Sequence, residues 1–255
     1  MIKVRILGCG TSSGVPRIGN DWGQCDPANP RNARTRSSIL VSGDDYRLLV
    51  DTSPDLRHQL LAAQLSTINA CIWTHDHADH CHGLDDLRQL AHNGGGPILS
   101  YARQDVLDRL HQRFRYAFDG NFGYPPLIEA QPLLDTQRMG PFTVTAVEMP
   151  HGPVRASGLR FTIGDKSIGY ATDFSEFTDD MVALFTGVDL FVIDALRRHP
   201  HPTHPHLAMT LAGLDRCGVS RAVLVHMDNT MDYDDLVGEL PGGIEPGFDG
   251  QELWL

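Results

Sequence analysis

Six times along this chain an apolar run ends in an aspartate or a histidine. RLLV is closed by Asp51, CIWT by His75, VEMP by His151, GYAT by Asp173, LFVI by Asp194 and AVLV by His226. The runs are rich in β-branched and aromatic residues, the composition of strands. A rigid sheet whose strands end this way gathers polar side chains around one point while the connecting loops vary. The pattern therefore constrains the chain to a sheet-based fold with a functional site along one sheet edge.

Further strands are expected at VRIL (4–7) and SSILV (37–41), and the run before His151 extends back to Phe142. Helical patterns lie between the strands. One is expected to start at Ser53, with its hydroxyl as cap and Pro54 in the first turn, and to run through Leu56, Leu60 and Leu61. Others span 102–117, 178–185 and 206–216. Alternating strands and helices give an α/β class. No repeat, low-complexity tract or linker divides the sequence, so 1–255 is read as a single domain. The proline-rich GYPPLIEAQP (123–132) is expected to be a surface excursion over the site, and Arg34 and Arg36 to be solvated charges at a strand edge.

Composition narrows the function classes. With 255 residues, 41% of them hydrophobic, the chain can bury a sizeable core. The five cysteines (Cys9, Cys25, Cys71, Cys81, Cys217) are odd in number and include no C-x-x-C pair. A disulfide framework and a cysteine-based zinc knuckle are not indicated, and a reducing cytoplasm is the expected location. The chain opens on a strand, MIKVRILGCG, and no apolar run approaches the roughly 18 residues that span a bilayer. A formal charge of -11 and a pI near 5.5 argue against nucleic acid as partner. The oligomeric state, a homodimer included, is left open.

The stretch WTHDHADH (73–80) sets three histidines and two aspartates in eight positions. In an extended segment side chains alternate, so His75 and His77 face the same side and can grip one ion through neutral imidazole nitrogens. After a turn, Asp79 and His80 can face a second. Two ions need more ligands, among them a carboxylate able to bridge, and His151, Asp173 and His226 can supply them. Imidazole and oxygen donors without thiolates suit Zn²⁺, Mn²⁺ or Fe²⁺. The glycine-rich GCGTSSGVP (8–16) lacks the Gly-Lys-Ser/Thr ending of a phosphate loop, and we read it as a structural turn beside the site.

These motifs, with LLVDTSPDLR (48–57), THDHADHCHGLDDLR (74–88), MPHG (149–152), YATD (170–173), HPTH (201–204), LVHMD (224–228) and GFDG (247–250), resemble the metallo-β-lactamase superfamily over nearly the whole chain. Within it they resemble the branch of phosphodiesterases typified by the phosphoribosyl 1,2-cyclic phosphate phosphodiesterase of the carbon-phosphorus lyase pathway. The resemblance implies a four-layered αββα sandwich and a dinuclear site. His75, His77 and His151 would hold one divalent ion, Asp79, His80 and His226 the other, and Asp173 would bridge them. Asp51 would orient a ligand imidazole from behind. Members of this branch can carry an additional structural zinc on several cysteines of the N-terminal loop and a histidine three residues past the last catalytic one. Here that loop, WGQCDPANPRN, has Cys25 alone, and Asn229 takes the histidine's place, so no structural zinc is expected.

The implied activity is hydrolysis of a small cyclic or nucleotide-like phosphodiester by a metal-bound hydroxide, with Asp79 among the catalytic groups. His204 is the candidate acid for the leaving alkoxide. Arg197, Arg198 and His206 are candidate substrate contacts, the arginines through bidentate contacts to a phosphate. A tRNA 3′-processing endonuclease shares the metal motif but calls for an RNA-docking arm and a basic surface. Thioester or lactam hydrolysis could use the same ligands, and so could a non-catalytic metal-binding module.

Overall fold

The computed structural model describes residues 1–255. Its first six strands, β1 (Ile2–Gly8), β2 (Ser38–Gly43), β3 (Tyr46–Val50), β4 (Ala70–Ile72), β5 (Ile98–Ala102) and β6 (Ile128–Pro132), lie in one sheet. The next seven, β7 (Thr136–Met139), β8 (Phe142–His151), β9 (Val154–Ile163), β10 (Lys166–Ala171), β11 (Leu190–Asp194), β12 (Ala222–Val225) and β13 (Ile244–Pro246), form a second. The last strand, β14 (Glu252–Trp254), returns to pair antiparallel with β1. Each sheet runs antiparallel through its hairpins and parallel where helices intervene.

The period-two alternation of the first sheet divides its side chains between two cores. Ile39 and Val41 of β2, Leu48 and Val50 of β3, and Ala70 and Ile72 of β4 point into a core shared with the second sheet. Their neighbours Leu40, Leu49 and Cys71 point the other way, against α1 (Leu56–Ala62), α3 (Leu87–Gly94) and α4 (Gln104–Arg113). Burial on both faces explains why these strands read as continuous apolar runs. The second sheet likewise takes α6 (Asp179–Phe185) and α7 (Leu207–Cys217) on its outer face through Met181, Phe185 and Leu214. The order of layers is helix, sheet, sheet, helix, the expected αββα sandwich. Each such fully buried leucine or phenylalanine contributes about 1.5–3 kcal/mol.

Several local expectations are corrected. Ser53 does not cap α1, which begins at Leu56 behind Asp55; the Ser53 hydroxyl donates to Gln59 Oε1 (3.0 Å) and accepts from the Asp55 amide (3.2 Å). The helix expected over 102–117 is broken at Phe114, leaving α4 and the short α5 (Arg115–Asp119). The stretch 123–132 is not a cover over the site. Its second half is β6, the edge strand, anchored in the outer core by Leu127 and Ile128, and an edge tolerates Pro132. Arg34 is not solvated: it is 2% exposed, and its guanidinium bonds to the Asp228 carbonyl (3.2 Å) and Asn32 Oδ1 (3.2 Å), tying the N-terminal loop to the segment after His226. No helix is long and apolar enough to cross a membrane.

Candidate metal centre

The strand-end residues meet at one edge of the sandwich. Asp51, Asp173 and His226 each adopt a left-handed backbone, with φ of 64°, 61° and 59°. Residues with a Cβ rarely stay in this region, and three of them around one point mark strain held in place by the surrounding fold. The bend turns each side chain off its strand and into the space between the loops.

His75 lies three residues past the end of β4 and is fully buried, and His77 is partly exposed at the mouth. A single turn of helix, α2 (Ala78–Cys81), then swings Asp79 and His80 to the other side. The imidazoles are oriented from behind. His80 Nδ1 lies 2.8 Å from Asp51 Oδ2, and since a carboxylate only accepts, the proton sits on Nδ1 and leaves Nε2 facing inward. Asp51 also accepts from the Thr74 amide (2.8 Å) and hydroxyl (2.9 Å), and the Thr74 oxygen is 3.0 Å from His75 Nδ1. His151 Nδ1 donates to the Thr203 carbonyl (2.8 Å), which brings its Nε2 to 3.1 Å from His77 Nδ1.

Asp173 stands between two sets of donors. Its Oδ1 is 3.6 Å from His151 Nε2 and 4.0 Å from His75 Nε2, while its Oδ2 is 3.1 Å from His80 Nε2 and 3.5 Å from His226 Nε2. Asp79 Oδ2 completes the second set at 3.4 Å from His80 Nε2 and 3.5 Å from His226 Nε2. The fold thus assembles His75, His77 and His151 as one group and Asp79, His80 and His226 as another, with donor atoms within 4.8 Å of one another in each.

The chemistry of this cage fits a divalent cation. The Nε2 atoms of His75, His80 and His226 are buried and have no hydrogen-bond partner, a costly condition that a Lewis acid relieves. Burial drives the imidazoles of His75 and His151 toward the neutral form that ligates. Burial also opposes charge on His80 and His226, but neighbouring carboxylates outweigh it; Asp173, Asp79 and Asp51 raise His80, and Asp173, Asp194 and Asp79 raise His226 to about 9. The same histidines hold Asp79 and Asp173 ionised in spite of burial. The protein without metal meets the negative charge of the cage with protons, the task a cation would take over.

His204 is brought to the rim of the cage. Its Nδ1 is 3.5 Å from Asp173 Oδ1 and 3.4 Å from Asp194 Oδ2, and its ring stacks on His226 with centroids 5.0 Å apart. Arg197 and Arg198 have internal partners instead. Arg197 bonds to the carbonyls of His199 (3.1 Å) and Pro200 (2.7 Å), and Arg198 pairs with Glu239 of α8 (Tyr233–Glu239). His206 is the residue before α7, and its buried Nδ1 has no partner. Cys25 is buried 3.9 Å from the Arg34 guanidinium, and the Asn229 amide donates to Asp21 (3.2 Å). The glycine-rich turn braces the site: the Met227 amide donates to the Cys9 carbonyl (3.0 Å) and the Thr11 amide to the Met227 carbonyl (3.2 Å). A Cβ on Gly10 would come within 2.9 Å of the Arg34 carbonyl, so the two segments could not close on each other.

Sequence reasoning assigned no role to Asp194, although it ends a strand like the others. Its Oδ2 accepts from the Asp173 amide (3.0 Å) and faces His204 and His226, the latter at 3.6 Å from Nδ1. Asp51 supports the cage from the opposite side. Asp51→Asn keeps the shape but removes the charge behind His80, and it is expected to weaken metal binding about 10–100-fold. Competition with a chromophoric chelator measures this directly.

Layers, strand-end cage and orphaned imidazoles together define an αββα sandwich with a candidate metal centre at one edge. Residues 46–227 match a family model described as a beta-lactamase superfamily domain. A crystal structure described as a new diphosphatase from the PhnP family is 32% identical and superposes with a TM-score of 0.90 over 99% of this chain and 96% of that one. Zn²⁺-bound PqqB from Methylobacterium extorquens, 24% identical, superposes with a TM-score of 0.79 over 99% of this chain and 100% of that one. A curated relative, the octanoyltransferase of Porphyromonas gingivalis (strain ATCC BAA-308 / W83), is 33% identical across 97% of this chain, which spans only 50% of that protein's length. The chain belongs to the metallo-β-lactamase superfamily of hydrolases, in its PhnP-like branch.

Proposed function

We propose that the protein is a phosphodiesterase that works with two divalent ions, zinc or manganese, on a small cyclic or nucleotide-like phosphodiester of the phosphoribosyl 1,2-cyclic phosphate kind. The observation that carries the reading is the division of Asp173, one carboxylate oxygen toward each donor group. His75, His77 and His151 would hold one ion, Asp79, His80 and His226 the other, with Asp173 shared. When bound, the ions supply an activated water near neutral pH and offset the charge that grows on the phosphoryl oxygens.

The rest is done by the chain. Asp51 and the Thr203 carbonyl orient the imidazoles of His80 and His151. Asp79 and Asp173 hold the negative charge that attracts the ions. His204, partly exposed with its Nδ1 near the carboxylates of Asp173 and Asp194, would give a proton to the departing alkoxide. Five unpaired, buried cysteines suit action in a reducing cytoplasm.

The diphosphatase neighbour supports phosphoryl chemistry over the alternatives, and the net charge of -11 disfavours precursor tRNA as substrate. The test is a panel of bis-p-nitrophenyl phosphate, cyclic phosphates, linear nucleotide diesters, thioesters, a β-lactam and precursor tRNA, given to metal-quantified protein at physiological salt. Turnover of the small diesters well above every other class is expected. Preferential cleavage of tRNA or of thioesters would replace the reading.

A further inference from the structure

Between His226 and the start of α8 at Tyr233 the chain has no regular secondary structure, yet it must hold a ligand of the cage on a left-handed backbone. Part of the support comes from one side. Met227 is pinned to Cys9 and Thr11 of the glycine-rich turn, and the Asp228 amide donates to the Leu196 carbonyl (2.9 Å). The residues that follow close a turn in which the Met231 amide donates to the Asp228 carbonyl (3.3 Å).

Arg34 reaches across this turn from the other side. Its Nη1 donates to the Asp228 carbonyl (3.2 Å), and its Nη2 donates to the Met231 carbonyl (2.5 Å) and to Asn32 Oδ1 (3.2 Å). The same Asn32 oxygen accepts from the Tyr233 amide (2.9 Å), which couples the guanidinium to the first residue of α8. The other end of Arg34 is equally fixed. Its amide donates to the Val15 carbonyl (2.8 Å) and its carbonyl accepts from the Val15 amide (2.9 Å). Next to it, Thr35 donates through amide (2.8 Å) and hydroxyl (2.6 Å) to Asp249 Oδ2, while Asp249 Oδ1 accepts from the Cys9 amide (3.0 Å). The hydrogen-bond partners of the guanidinium are two carbonyls, an amide oxygen and, at 3.9 Å, the Cys25 sulfur; none is a carboxylate. A cation buried among neutral partners is costly, so ion pairing does not account for its place. A planar fork can hold the carbonyls of Asp228 and Met231 together, which a single ammonium does less well.

We infer that Arg34 is a positioning residue for the metal cage: by fixing the turn from Asp228 to Met231 it keeps His226 in the conformation that aims Nε2 at Asp79 and Asp173. None of its hydrogen-bond partners is a ligand of the cage. This rests on the two-ion reading and assigns the effect to one ion only. His75 and His151 are braced elsewhere, through the Thr74 side chain and the Thr203 carbonyl. Loss of the fork should therefore weaken the group of Asp79, His80 and His226 and spare the group of His75, His77 and His151.

The test is site-resolved metal binding. In protein carrying isotopically labelled histidine, nitrogen NMR follows the rings of His226, His75 and His151 separately as chelator-buffered Zn²⁺ is raised. In Arg34→Met, which removes fork and charge, His226 is expected to fill at about 100-fold higher free Zn²⁺ than in the wild type, and in Arg34→Lys, whose ammonium keeps one carbonyl, at about tenfold higher, the range for loss of a group behind a ligand. His75 and His151 should fill at the wild-type concentration in both. Should Arg34→Met fail to fold, Arg34→Lys carries the comparison alone. Equal weakening of both groups would make Arg34 a general prop of the fold, and an unchanged His226 would detach it from the cage; either result overturns the inference and leaves the two-ion reading intact. If His226 takes up no Zn²⁺ in the wild-type protein while His75 and His151 do, the two-ion reading falls and the inference with it.

Discussion

Asp173→Ala is expected to leave a folded protein that retains at most one divalent ion per chain and hydrolyses bis-p-nitrophenyl phosphate at least 10²–10³-fold more slowly, on the order of what loss of one preorganised electrostatic group costs an active site. The reason is geometric. No other side chain presents one oxygen to His75 and His151 and a second to His80 and His226. Elemental analysis and steady-state kinetics on the same preparation check both halves. Unchanged metal content and unchanged hydrolysis would remove Asp173 from the account.

His204→Ala should show its effect through the leaving group. A nitrophenolate leaves without a proton, so its release should slow by less than about tenfold, whereas a diester that expels an alkyl alkoxide should slow by roughly 10²–10⁴-fold, the range a positioned acid contributes. The proximity of His204 to Asp173 and Asp194 gives it the position, and its partial exposure gives access to substrate. His201, whose Nδ1 is 3.3 Å from the Thr203 amide and whose ring is 5.0 Å from that of His204, is the natural control. Equal losses on the two kinds of leaving group would mean that His204 shapes the site without transferring a proton.

The strand-end rule carried much of what was legible. Asp51, His75, His151, Asp173 and His226 converge because each lies at or just beyond the end of a strand on the same edge, and the chemical type of each side chain announces the chemistry. His77 and His80 were readable from spacing, extended on one side of a turn and helical on the other. Asp194 follows the same strand-end rule, but its facing of His204 and His226 is visible only in the fold. The partners of the arginines were not readable either. Arg34 near a strand start looks solvated until the segment after His226 folds over it, and Arg197 and Arg198 look free until the loop carbonyls and Glu239 claim them.

Strand β9 was missed because VRASGLRFTI breaks the apolar alternation. It is held by its long antiparallel partner β8, and at Gly158 a Cβ would lie 2.8 Å from Met149 Sδ, so the methionine would have to shift. Strands β6, β7, β13 and β14 are at or near sheet edges, where one neighbour suffices and the pattern is weak. Strand β5, which lies between β4 and β6, was missed as well.

The most direct measurement is a titration of chelator-stripped protein with Zn²⁺ or Mn²⁺, following bound metal and hydrolysis of bis-p-nitrophenyl phosphate together. The account predicts no hydrolysis in the stripped protein, binding that saturates at two ions per chain, and activity that reaches its plateau only as the second site fills. Full activity with a single ion bound, or hydrolysis that persists after stripping, would contradict it.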